Sequence, residues 1–243
     1  MNPFAGYLAL VVGHTRNRPG AAGVYPISSS EYEYNNGLAD MIQTYANMRG
    51  HHVEIFHRDG VSIDGAYKGV AEWEADAVCE LHFNAFNGNV KGTETLYSDK
   101  DDTKRVLEKE FANFVQEEMC RVFGRQGREN RGLKNRPLSR GERGYWNVNQ
   151  LFGIPSILIE PFFGDNKEEA RAAVEYKQEL AEAIVKGFER WKSLIAYERG
   201  LVDTPDTPDT PDTPDTPDTP DTPDTPDTPD TPDTPDTPDT PNT

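Results

Sequence analysis

Cysteine is scarce: the 243 residues contain two, Cys79 in an apolar run and Cys120 in a helical pattern. Two thiols are too few for a disulfide framework or a thiolate metal site, so both read as buried side chains. Long hydrophobic runs are missing too. Nothing approaches the roughly 18 consecutive apolar residues of a membrane-spanning helix, which excludes stable insertion in a bilayer. The apolar stretch Tyr7–Val12 has no basic segment before it and no small-residue cleavage site after it. It reads as a strand rather than a signal peptide, in a protein synthesised in the cytoplasm.

Positive charge is in deficit, with 25 Lys and Arg against 42 Asp and Glu and a net charge of −17. Thirteen of those acids belong to a repeat, in which Asp-Thr-Pro triplets run from Asp203 to Pro241 and end in Asn242 and Thr243. Residues 1–202 keep 29 acids and 25 bases, only mildly acidic. At roughly 200 residues that part is the size of one domain with a real core, and we expect a monomer. The tail, 203–243, has no apolar side chain to bury, and each Thr precedes a Pro, which favours extended or polyproline II backbone. It is expected to be a disordered spacer, reaching on the order of 120 Å at ~3.1 Å per residue.

What the folded part does have is alternation. Runs rich in β-formers occur at Tyr7–Val12, Val53–His57, Ala77–Phe83, Thr93–Ser98 and Ser156–Glu160, with helical periodicity filling most intervals. This is the pattern of an α/β domain with a mostly parallel, twisted sheet flanked by helices. Helices are predicted from Glu31 to Arg49, from about Asp64 to Glu74, from about Asp102 to Phe123 and from Lys167 to about Ala196. The third carries Val106, Phe111, Phe114, Val115, Met119 and Val122 at helical spacing. Asn166 precedes the fourth as an N-cap. The Gly- and Arg-rich stretch from Gly124 to Gly144 shows no period and reads as a long surface loop.

Four polar residues fall where an α/β sheet builds a site, at strand ends or at a helix start: His14, Glu31, His82 and Glu160. His14, Glu31 and His82 would give two nitrogens and one oxygen around a metal and leave a fourth position open, a catalytic zinc pattern. Glu33 is an alternative carboxylate, two residues further along the helix. Glu160 closes one of the most apolar strands, where desolvation would raise its pKa toward the range useful for a general base. Each of these residues alone also suits an ordinary rim or helix-start position. Strand alternation sets Glu80 on the same face as His82, where it would orient a ligand or a substrate group.

The neighbouring residues occur in a set order: Gly13-His14, Ser30-Glu31-Tyr32-Glu33-Tyr34-Asn35, Leu81-His82-Phe83-Asn84-Ala85, and Ile159-Glu160 followed by Phe163 and Asn166. In this the chain resembles the zinc-dependent N-acetylmuramoyl-L-alanine amidases, particularly the catalytic domains of phage endolysins. The likeness runs from about Leu8 to Phe188 and takes in Gly92-Thr93-Glu94, Tyr97 and Arg131-Gly132. It implies Zn2+ held by His14, Glu31 and His82, with Glu160 as the acid/base. It favours Glu31 over Glu33, because Asn35 and Ala39 fall where the family places residues after its ligand. Peptidoglycan is the implied substrate, cut between N-acetylmuramic acid and L-alanine. A zinc peptidase acting within the stem peptide, or a wall-binding module, are the alternatives. Departures are Arg16, Asn17, Arg18 and Pro19 in a stretch that is often glycine-rich, and Glu80 where a small residue is common.

From Arg121 to Arg143 eight cations face Glu129 and Glu142, a net of +6 in 23 residues. Stem peptides carry several carboxylates, so Arg131, Lys134 and Arg136 are predicted substrate contacts, with Asn84 beside His82 as another. Without aromatic interleaving, the patch does not read as a nucleic-acid site. The lack of a leader suits a phage enzyme that waits in the cytoplasm and reaches the wall once the membrane is breached.

Overall fold

Three strands are apolar on both faces: five of the six residues in β1 (Tyr7–Val12) are buried, and all five in both β3 (Ala77–Leu81) and β6 (Ser156–Glu160). Such strands need cover on both sides and belong inside a parallel sheet. The computed structural model, which describes residues 5–98, 105–136, 144–151 and 153–200, sets them side by side. The sheet has six strands in the order β2-β1-β3-β6-β4-β5, with β2 at His52–Phe56, β4 at Thr93–Ser98 and β5 at Asn130–Arg136. β2, β1, β3 and β6 are mutually parallel, β4 runs antiparallel to β6, and β5 runs parallel to β4.

Alternation along β1 divides the core into two layers. Leu8, Leu10 and Val12 join the larger apolar cluster with α1 (Glu31–Met48), α3 (Arg105–Val122) and α6 (Lys177–Glu198), whose buried contributions include Leu38, Phe111, Phe188 and Trp191. Ala9 and Val11 face the other way and pack with Tyr67 and Val70 of α2 (Ser62–Glu72). On that same face α4 (Tyr145–Val148) places Val148 against Leu96 and Leu158. Helices on both faces of a mainly parallel sheet are the predicted architecture. Cys79 and Cys120 are free and buried, and burial pushes the Cys120 thiol up to about 11. Among the described residues no helix is long and apolar enough to cross a membrane.

Three predictions need correction. The stretch from Gly124 to Gly144 is not a loop throughout, because Asn130–Arg136 forms the edge strand β5. Its pattern was hidden because, among the described residues, one edge faces no partner strand and Leu133 alone of the strand packs against the core. A register shift between Thr93 and Glu94 leaves Arg131 as an extra residue, and Gly132 takes a left-handed φ of 71° next to it, as a bulge requires. The single C-terminal helix is two, α5 (Lys167–Glu175) and α6, meeting at Tyr176. Lys177 there folds onto α1, with Nζ 3.0 Å from the Tyr34 carbonyl and 4.2 Å from its ring centroid. β3 also ends at Leu81, so His82 lies just beyond it. The expected helix start at Asp102, the Arg140 and Arg143 cations and the repeat tail lie outside the described residues, as does the Val106 side chain.

α3 and α6 approach closely at Gly187. A Cβ there would sit 2.7 Å from Val115 Cγ2 and 2.8 and 2.9 Å from its Cα and N. Backbone cannot yield as a side-chain tip can, so Gly187→Ala is expected to destabilise the fold by about 1–3 kcal/mol, the usual cost of overpacking. Urea denaturation monitored by circular dichroism measures it, with the midpoint lowered and the slope unchanged.

Candidate metal centre and active site

Parallel register brings three chemically useful residues to one edge. Val12 pairs with Leu81 and Leu81 with Ile159, so the chain leaves all three strands at the same level. The next backbone bonds continue the alignment: Gly13 N–H donates to the Leu81 carbonyl at 3.0 Å, and His82 N–H to that of Ile159 at 3.2 Å. His14, His82 and Glu160 emerge there, at the carboxyl ends where open α/β sheets place their sites. His14 adopts a left-handed φ of 68°, a strain of order 1–3 kcal/mol for a non-glycine residue that clusters at functional positions.

Glu31 arrives from the opposite direction, at the first position of α1. Ser30 caps that helix in a reciprocal box: its side chain accepts from Glu33 N–H, and the Glu33 carboxylate accepts from Ser30 N–H at 3.0 Å. This occupies Glu33 in capping at the exposed surface and leaves Glu31 to turn inward. Glu31 Oε1 lies 2.8 Å from His82 Nδ1 and 3.1 Å from the Phe83 N–H, and Oε2 lies 3.0 Å from His14 Nε2 and 3.1 Å from the Ala21 N–H. Burial works to raise the Glu31 carboxyl, but its bonds to His14 and His82 and their charge outweigh it, so it lies far below the usual carboxylate range. Ligand atoms of His14, Glu31 and His82 all fall within 4.8 Å of one another. Two imidazole nitrogens and one carboxylate oxygen so gathered fit a divalent metal with a position left open.

Glu80 is fully buried behind His82, with Oε1 3.0 Å from Nε2 of the ring. A metal held at Nδ1, on the Glu31 side, would leave the Nε2 proton to Glu80, the arrangement typical of a metal-bound histidine. Glu80 in turn accepts from the Tyr67 hydroxyl at 2.6 Å and the Asn147 amide at 2.7 Å, and forms an ion pair with Arg58. A cavity of about 420 Å³ opens above this group, lined among others by His14, Glu31, Arg58, His82, Asn147 and Glu160. Glu160 is 3% exposed and shares the amide of Asn84 with Glu94, its direct partner across the antiparallel β4–β6 pair.

Comparison with known proteins bears on this arrangement. The profile of the family described as N-acetylmuramoyl-L-alanine amidase, Amidase_3, matches residues 8–190. The chain belongs to the N-acetylmuramoyl-L-alanine amidase family. No curated protein sequence matches it. Among solved structures it is similar to the catalytic domain of CD27L, an endolysin targeting Clostridia difficile, at 26% identity and a TM-score of 0.58 over 76% of this chain and 97% of that one. It shares its fold with an N-acetylmuramoyl-L-alanine amidase from Clostridium difficile 630, at 21% identity and a TM-score of 0.64 over 82% and 99% of the two chains. The catalytic domain of CwlV from Bacillus (Paenibacillus) polymyxa is comparable, with 18% identity, a TM-score of 0.62 and 81% and 99% coverage.

An amidase of this family acts on the amide between N-acetylmuramic acid and L-alanine in peptidoglycan. The structure brings His14, Glu31, His82 and Glu160 to one cavity and puts Glu80 against His82. The other predicted contacts have additional ties. Asn84 is buried and spends its amide on Glu94 and Glu160. Arg131 Nε donates to Glu94 Oε2 at 2.7 Å. Lys134 Nζ donates to the Arg131 carbonyl at 2.7 Å, and Arg136 Nη1 to that of Asn135 at 3.3 Å. Residues the sequence reading missed are Arg58, Tyr67, Asn147 and the role of Glu94. One signal was available: a carboxylate inside an apolar strand, as at Glu80, demands buried donors from elsewhere.

Gly13 packs directly on the site, since a Cβ there would lie 2.5 Å from His82 Cε1 and Nε2 and 2.6 Å from the Leu81 carbonyl. Gly13→Ala is expected to displace the imidazole and weaken divalent-metal binding by about tenfold or more, the scale seen when ligand orientation is lost. Isothermal titration of the metal-free protein with Zn2+ reads this directly.

Proposed function

We propose that the chain is a zinc-dependent amidase in which His14, Glu31 and His82 hold the metal and Glu160 is the general acid/base. The observation that carries this is the gathering of three ligand atoms within 4.8 Å beside a buried carboxylate that lines the same cavity. When bound, zinc supplies Lewis-acid polarisation of the scissile carbonyl and lowers the pKa of coordinated water. Glu160 takes a proton from the attacking water as its oxygen bonds to the muramyl carbonyl carbon. It then donates that proton to the nitrogen of L-alanine as the carbon–nitrogen bond breaks. Glu80 fixes the His82 ring. Lys134 and Arg136 on the β5 edge attract the stem-peptide carboxylates.

A lytic role fits the same reading. The similarity to an endolysin catalytic domain spans 97% of that domain, and we assign the chain to phage-type wall lysis with peptidoglycan as its partner.

Two experiments test the assignment. Chelation should abolish hydrolysis of purified peptidoglycan and added Zn2+ should restore it; activity that survives metal removal refutes the metal centre. Glu160→Gln should keep stoichiometric zinc yet lower kcat by about 10²–10⁴-fold, the usual contribution of a general acid/base. In the same assay, Lys134→Ala with Arg136→Ala should raise KM severalfold with kcat and zinc content unchanged.

A further inference from the structure

Glu94 is 6% exposed and belongs to no ligand set, yet it faces Glu160 as its direct partner across the antiparallel pair. Asn84 donates one amide group to both, at 2.7 Å to Glu94 Oε1 and at closer range to Glu160 Oε2. On its far side Glu94 accepts from Arg131 Nε at 2.7 Å, and the Arg131 guanidinium lies 5.2 Å from the Phe163 ring centroid. Arg131 is the extra residue of the β5 bulge, so the irregularity of the strand is what delivers the cation to Glu94.

We propose that Glu94 is a positioning residue for Glu160, fixing the Asn84 amide on one of its carboxyl oxygens so that the other exchanges protons with substrate. The inference rests on Glu160 being the acid/base. Burial opposes ionisation of Glu94, but Arg131, Glu160 and Asn84 together hold its carboxyl below the ordinary range. An ionised Glu94 is an anion directly across from Glu160, and a like charge so close opposes ionisation of its neighbour. Other charged or titratable groups around Glu160 are His14, Glu31, Arg58 and His82 in the cavity, with Arg131 behind Glu94.

The test is the pH dependence of kcat/KM for zinc-loaded Glu94→Gln and Arg131→Met, each with its metal content measured. Glu94→Gln keeps the shape and removes the charge. It should lower kcat at neutral pH at least tenfold and move the acidic limb down by about one pH unit or more. Arg131→Met leaves the Glu94 charge uncompensated and should move the same limb up. Opposite displacements at constant zinc content are not expected of residues that merely support the fold. Limbs that coincide with wild type in both variants would overturn the proposal, whatever the loss of rate. Glu160→Gln run alongside separates the two readings. Full activity in that variant overturns the acid/base assignment itself, whereas its inactivity beside unmoved limbs rejects Glu94 alone.

Discussion

The Glu31 carboxylate accepts from four directions, two imidazoles and two backbone N–H groups, and the rest of the site is arranged around that buried charge. A carboxylate taken from water without partners costs many kcal/mol or gives up its charge. Here the partners come from the loop after β1, from the residue after β3 and from the segment leading into α1. The charge stays in place only if β1 and β3 are in register, the Ser30 cap starts the helix at Glu31, and the intervening loop folds back to present Ala21. Each condition is met by local features, and together they make the geometry of the site a consequence of the fold.

Other acids along this edge have distinct environments. Glu80 is surrounded by a phenol, an amide and a guanidinium, which fix it as a support for His82. Glu160 and Glu94 face each other across β6 and β4 and share one amide. Surface pairs are different in kind: Lys68 and Glu72 are 3.7 Å apart with side chains 77% and 69% exposed, an arrangement worth only tenths of a kcal/mol. Breaking a buried pair such as Arg58–Glu80 leaves a stranded charge and costs several times more. The buried network therefore carries the energetic weight at the site.

Much of this was legible in the sequence, for identifiable reasons. β1, β3 and β6 are doubly buried, so their apolar runs stand out, and a polar residue at the end of such a run marks the sheet edge. Glu31 was separable from Glu33 only by resemblance, although Ser30 three residues before Glu33 is itself the signature of a capping box. β5 was not legible, because NRGLKNR has one apolar residue and lies at an edge where charge is tolerated. The break at Tyr176 was hidden because helical periodicity continues through it. Arg58 and the role of Glu94 escaped notice because their importance lies in partners distant in sequence, Glu80 for one and Glu160 for the other.

The most direct measurement of the central claim is the chemistry of the bond that is cut. Purified peptidoglycan digested with the zinc-loaded protein should release new amino groups that derivatise and sequence as N-terminal L-alanine, with no increase in reducing sugar ends. New reducing ends without alanine amines, or amines from within the stem peptide, would contradict the account.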